Sequence, residues 1–429
     1  MAGLIIGIIL GILGIIATVY FGIKALRPKV PLELQRDIVK IRAELRQVSL
    51  YLDGLPKTKD KDKKALFEKG MSLMAQYKYE EAIESFRECL GLETEGSEKV
   101  ALLHLIGNSF YAWNKWDQAL GSWHEALETA EKTGDEEGQA PALGNLGVVY
   151  EAKGEWDKAI EFYNKALKGL EKVGDEHGMA QTFNNLAGVY YLKGEWNKAE
   201  EFYENNLRIM ERIGEEYGMS QSLTGLGLVC QAKGEWDNAI EYYEKSLKIK
   251  EKIGDEHGMA QTFSNMGIVY RRKGEWEKAK EFHENSLKIL ERIGDEYGIS
   301  QNLTGLGLVY QDKGEWDKAI EFYNKSLKIK EKIGDEHGMA QTFNNLAVVY
   351  SKKGKWDKAI EFYNKDLEIS KKIGDEHGMA QTKANIGILY KEQGKKGEAK
   401  RLLGESLRTL EKIGDRPNAE IVRRHLKDL

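Results

Sequence analysis

Proline is scarce, 5 residues in 429, and the two cysteines, Cys89 and Cys230, stand far apart with no CxxC pair or Cys/His cluster near either. So few prolines leave long helices unbroken, and two isolated thiols exclude a disulfide framework and a thiolate zinc site. There is no arginine-rich stripe. Residues 1–64 hold 12 Lys+Arg against 6 Asp+Glu, and the rest holds 52 against 63, so a front of +6 precedes a body of -11. Such a body argues against nucleic acid, whose phosphates need concentrated Lys and Arg, while the basic front suits an anionic membrane surface. Walker loops, dinucleotide fingerprints, HExxH and nucleophile elbows are also missing. The Gly-Asp-Glu-His-Gly segments follow helical patterns rather than strands, so they are not phosphate loops. His177, His257, His337 and His377 recur because the sequence itself recurs, in equivalent turns that do not converge on one ion. The expectation is a non-enzyme needing no cofactor or metal. With 31% charged residues the bulk reads as soluble and helical.

What is present is a copy of itself every 40 residues. Gly154, Gly194, Gly234, Gly274, Gly314, Gly354 and Gly394 mark one phase, and Trp156, Trp196, Trp236, Trp276, Trp316 and Trp356 another. Extended backward through Gly107, Trp116 and Ala119, then by a 37-residue step through Gly70, Tyr79 and Ala82, the period predicts nine units over 65–416. In the fourth, Phe183, Leu186, Ala187 and Tyr190 share one face of a first helix; beyond Gly194, Ala199, Phe202, Tyr203 and Leu207 share one face of a second. Gly214 suits the turn that follows, and Glu215 and Glu216 supply negative charge to the next helix start. Each unit is predicted to be a helical hairpin. Residues 417–429 begin another first helix and read, with the polar substitutions of the last unit, as a C-terminal capping helix.

In order, Leu146-Gly147, Tyr150, Ala159, Tyr163 and Ala166 match the small-and-large pattern of the tetratricopeptide repeat (TPR) family, which the chain resembles over about four-fifths of its length. The family's usual unit is 34 residues and ends in a proline missing here. Forty-residue units are similar to those of kinesin light chains and spindle-orientation adaptors; Asn344-Asn345-Leu346-Ala347-Val348-Val349-Tyr350 followed by Gly354-Lys355-Trp356 looks especially like the former. The resemblance implies an all-α, right-handed superhelical solenoid whose first helices line a concave groove.

It places Gln181, Asn184, Asn185 and their equivalents Asn145, Gln221, Gln261, Asn265, Gln301, Gln341, Asn344, Asn345 and Asn385 in that groove, where amides can bond an extended peptide backbone. Asparagine inherited by duplication, capping or solvating a helix, is the blander account. Val148, Leu228, Ile268, Leu308, Val348 and Ile388, with Gly188 in the same series, form an apolar stripe where the adaptors carry a ligand-holding Asn. Exposed, the stripe suits an apolar or amphipathic partner segment; shielded, it is core packing.

The front is of another kind. Residues 2–23 carry no charge and as a helix would span ~33 Å, enough to cross a bilayer core. No basic stretch precedes them, which disfavours a cleaved signal peptide, and Lys24, Arg27 and Lys29 follow, predicting a single-pass cell-membrane protein with its repeats in the cytoplasm. Gly3, Gly7, Gly11 and Gly14 set small residues on one helical face, the pattern of close helix association and of a homo-oligomer. In the basic segment 24–64, Leu34, Ile38, Ile41, Leu45, Val48 and Leu52 alternate by four and three, either a short coiled-coil seam or an amphipathic helix lying on the first repeat or the membrane. Lys57 to Lys64 reads as a solvated linker. The expected function is a membrane-anchored scaffold holding peptide segments of partner proteins. The alternative is a structural protein assembling into a ring, tube or filament through residues 2–52.

Overall fold

The computed structural model describes residues 61–92 and 96–429. The glycine register of residues 3–14, the charge-free stretch 2–23 and the heptads of 34–52 lie outside the described residues. No helix among the described residues is long and apolar enough to cross a membrane.

The described chain is helix and turn, with no strand. It divides into two compact units, the first ending at Lys233 and the second running Gly234–Leu429. The first holds α1 (Lys61–Ala75), α2 (Tyr79–Leu90), α3 (Gly96–Ala112), α4 (Trp116–Thr133), α5 (Glu136–Ala152), α6 (Trp156–Val173), α7 (Glu176–Leu192), α8 (Trp196–Ile213) and α9 (Glu216–Lys233). The second holds α10 (Trp236–Ile253), α11 (Glu256–Arg272), α12 (Trp276–Ile293), α13 (Glu296–Asp312), α14 (Trp316–Ile333), α15 (Glu336–Lys352), α16 (Trp356–Ile373), α17 (Glu376–Glu392), α18 (Lys396–Lys412) and α19 (Arg416–Lys427). Odd numbers are first helices of a repeat and even numbers second helices. One boundary differs from the expected linker: α1 already begins at Lys61, because Lys63 is buried and its ammonium lies 2.8 Å from Glu98 at the start of α3.

Each hairpin closes on small residues and rings. Leu186 and Ala187 of α7 and Ala199 of α8 are fully buried, and Tyr190 stacks on Phe202 with centroids 5.4 Å apart. Tyr150–Phe162, Tyr270–Phe282, Tyr310–Phe322 and Tyr350–Phe362 repeat that stack at 5.1–5.3 Å, adding directional attraction to the buried area. Gly147 lies so close beneath Tyr163 that a Cβ would meet the ring at 2.5 Å, and Gly307 lies likewise under Tyr323.

The helix ends are made differently. From α5 onward first helices start at an acidic residue whose carboxylate accepts the N–H three residues on, as Asp175 does from Gly178 at 3.0 Å and Glu215 from Gly218 at 2.6 Å, satisfying an otherwise orphaned donor. Second helices start at a Glu or Lys making no such bond. They end at a left-handed glycine such as Gly214, φ 70°, a conformation a Cβ would penalise.

Within each unit, consecutive first helices also touch one another, as α5 does α7 and α11 does α13, besides packing on the second helices between them. Two rows of exposed ion pairs run along the units. Lys153–Asp117, Lys193–Asp157, Lys273–Asp237 and Lys313–Glu277 link successive repeats. Arg212–Glu176, Arg292–Glu256 and Lys412–Glu376 tie the end of a second helix to the start of the first helix of its own repeat.

Candidate functional site

Burial divides each first helix lengthwise. In α7, Ala180, Thr182, Leu186, Ala187, Val189 and Tyr190 are buried, whereas Gln181 is exposed and Asn184, Asn185 and Gly188 are half-buried. The same division holds elsewhere. Gln221, Gln261, Gln301 and Gln341 are exposed, and Asn145, Asn265, Asn344, Asn345 and Asn385 are half-buried. Val148, Leu228, Ile268, Leu308, Val348 and Ile388 are half-buried as well, neither sealed in the core nor fully open. Spacings of three and four bring these positions to one face of each helix. Successive first helices lie close enough to align those faces within a unit, giving an accessible strip of amides and apolar side chains.

Part of the amide capacity is spent between repeats. Asn145 Nδ2 donates to Asn108 Oδ1 at 3.3 Å, and Asn385 Nδ2 donates to Asn344 Oδ1 at 3.1 Å. An asparagine in mid-helix costs helix propensity, and these bonds between neighbouring first helices supply a compensating gain. Arg271 joins them across α11 and α13, its guanidinium 2.8 Å from Asp312.

The asparagine series skips Gly225 and Gly305 for a packing reason. A Cβ at Gly225 would meet Tyr203 at 2.5 Å, and one at Gly305 would meet His283 at 2.5 Å. The preceding repeat's ring occupies the space a side chain would need. The two glycines stand 80 residues apart, whereas Asn145 and Asn185, and again Asn345 and Asn385, fill the position in consecutive repeats.

Sequence reading also missed a buried polar layer. His283 fills a position where other repeats have Tyr, its Nδ1 3.0 Å from Asn302 Oδ1, which also accepts from Ser264 Oγ at 2.7 Å. Burial pushes its imidazole down to about 4. His104, bonded to the Gly138 carbonyl, is lowered to about 4 for the same reason. Lys330 is fully buried, donating to Thr342 Oγ1 at 3.0 Å, Thr304 Oγ1 at 3.2 Å and the Gly338 carbonyl at 3.3 Å. Burial lowers its ammonium, and Asp335 partly offsets that. Lys250 donates to Thr262 Oγ1 at 2.9 Å and is lowered by burial to about 8. Buried Asp366, accepting from Thr382 and Ser370, is raised by burial. Leu170, Met210 and Leu290 at the positions matching Lys250 and Lys330 were the available signal. These groups lie inside the helix stack and border the accessible strip, since Ser264 and Thr304 occupy the position of Asn184 and Asn344 in their repeats. Among the described residues no three His, Cys, Asp or Glu are placed to hold a metal ion.

Models of the tetratricopeptide repeat match residues 98–172, 178–252, 258–332 and 338–412, and another matches 63–95. The chain belongs to the tetratricopeptide repeat family. Each of the four longer matches covers two TPR hairpins, and successive matches begin 80 residues apart. No curated protein matches the chain in sequence.

Among solved structures it is similar to the apo quorum sensor NprR from B. thuringiensis, at 14% identity over 81% of this chain and 98% of that one, TM-score 0.56. A Rap protein complexed with Competence and Sporulation Factor matches at 15% identity over 85% and 96%, TM-score 0.52. TPR-like repeats of a Podosopora anserina kinesin light chain match at 21% identity over 45% and 95%, TM-score 0.39. At such identities the first two share the fold of this TPR chain and no more.

Proposed function

We propose that this protein is a membrane-anchored TPR scaffold that holds peptide segments of partner proteins along the accessible face of its first helices. One observation carries the reading. Side chains that can bond a peptide backbone, such as Asn345 and Gln341, stand beside half-buried apolar ones, such as Val348, on the same unburied strip, helix after helix. An extended segment needs backbone partners and shallow apolar contact at regular intervals, and the strip supplies both. That a Rap protein of this fold has been seen in complex with Competence and Sporulation Factor agrees with the reading. The charge-free residues 2–23 followed by Lys24, Arg27 and Lys29 support a single-pass anchor with the repeats on the cytoplasmic side.

The test is selection of a displayed peptide library on the full chain. Enriched peptides should lose binding to Asn345→Ala and Val348→Asp while still binding Lys325→Glu, a change on an exposed second-helix position. Peptides unaffected by the first two changes would overturn the groove. Release of the full chain from membranes by alkaline carbonate would overturn the anchor.

A second reading, assembly into a ring, tube or filament, rests on the register of Gly3, Gly7 and Gly11. It predicts that Gly7→Leu returns the full chain to a single-copy particle.

A further inference from the structure

Each unit is a row of antiparallel helices, so turns from first to second helix fall on one edge and turns from second to first on the other, about 26 Å away. The edges differ chemically. In the first unit, turns 112–118, 152–158 and 192–198 hold five basic and four acidic residues, whereas turns 131–137, 171–177 and 211–217 hold three and ten. In the second unit, turns 272–278, 312–318, 352–358 and 392–398 hold eleven and eight; turns 251–257, 291–297, 331–337, 371–377 and 411–417 hold seven and thirteen.

Both edges are also apolar at regular intervals. Trp116, Trp156, Trp196, Trp276 and Trp356 open the second helices with 37–40% of their surface exposed. At the opposite ends of second helices, Val173, Ile333, Ile373 and Ile413 are 36–40% exposed.

We propose that the tryptophan edge of one copy docks on the acidic, isoleucine edge of a second copy. Two observations point to a copy of this chain as the occupant. The edges carry complementary charge, which orients an encounter and disfavours like edges meeting. Within the second unit Ile333, Ile373 and Ile413 stand at the 40-residue repeat and Trp276 and Trp356 at twice that, so seating one tryptophan on a rung brings the other to a rung as well. Several modest contacts then act together. The two surfaces in contact differ, so the contact is heterologous and leaves edges of either kind free on the docked pair to propagate it. This contact does not depend on residues 2–23 or on the peptide strip.

Sedimentation of the full chain in non-ionic micelles tests it, over about a hundredfold range of concentration. The wild type should grow with concentration. W156S/W196S/W276S/W356S and V173D/I333D/I373D/I413D should each stay at one common smallest size, and their equal mixture should form larger particles that neither variant forms alone. Growth restored only by mixing is specific to a heterologous contact. K352E/K355E/K358E, which alters exposed side chains only, should also reduce growth, as should NaCl at about 1 M, where charges beyond a few ångströms are screened; both check the proposal if a tryptophan variant misfolds, as circular dichroism would show. Growth of the isoleucine-edge variant alone would mean tryptophan edges pair with each other. Growth unaffected by either set, or a wild type of constant size, would likewise overturn the proposal.

Discussion

At the scale of single residues, two glycines on the same helix face have opposite roles. Gly188 has open space where a Cβ would stand, whereas Gly305 has the His283 ring there. Gly188→Ala should raise stability by about 0.5–1 kcal/mol, the ordinary gain of alanine over glycine within a helix. Gly305→Asn, which only makes this repeat resemble those with Asn185 or Asn345, should lower it by about 1–3 kcal/mol through overpacking. Thermal melts of the two variants check both signs. Lys250 offers a test with pH. Burial brings its folded value to about 8 from 10.5, so below 8 both states are charged and the fold carries the full cost of burying an ammonium. Between 8 and 10.5 the unfolded chain holds more protons than the folded one, and stability rises with pH. Lys250→Met, the residue found at 210, leaves Thr262 bonded to the Gly258 carbonyl. It should therefore stabilise by about 1–3 kcal/mol at pH 7, and the advantage should shrink as pH rises from 8 to 10.5 in denaturant titrations.

At the scale of helices, the cap is where sequence and structure agree most closely. Asp175→Ala should cost about 1 kcal/mol, because the Gly178 N–H loses its acceptor. Glu155→Ala, at the start of a second helix, should stay within about 0.5 kcal/mol, since Glu155 caps nothing and its pair with Lys158 is exposed. Chemical denaturation of the two variants separates them. Hairpins were legible because their signals are local: periodic Leu186, Ala187 and Tyr190, acidic residues such as Glu215 and Glu216 at the start of first helices, and glycines such as Gly214 after second helices. The tryptophans were legible as markers of phase, but not as the exposed opening residues of second helices. The accessible strip was legible only in part. That Asn385 bonds Asn344 depends on the distance between successive first helices, which no single repeat encodes. Why Gly225 and Gly305 interrupt the asparagines depends on rings in preceding repeats.

At the scale of the whole molecule, stability is set by what each hairpin stacks against, since every repeat contacts chiefly its neighbours. Its consequence is sharpest at α19. Ala419 and Val422 are buried with Ala380, Ala384, Leu403 and Leu410, while Glu420, Arg423 and Arg424 face outward. Shortening the chain before Arg416 would uncover an apolar face that α17 and α18 cannot cover themselves, because Leu403 and Leu410 point toward α19 rather than into their own hairpin alone. Val422→Asp would place a charge on that face with no partner to receive it. Both changes should speed amide hydrogen exchange across 376–412 by lowering the local opening energy. The effect should fade repeat by repeat toward 336, because coupling passes only through successive interfaces. Exchange unchanged in 376–412 would show that α19 does not stabilise the repeat before it, and exchange raised equally back to 236 would show that the second unit opens as one cooperative body rather than as a row of neighbours.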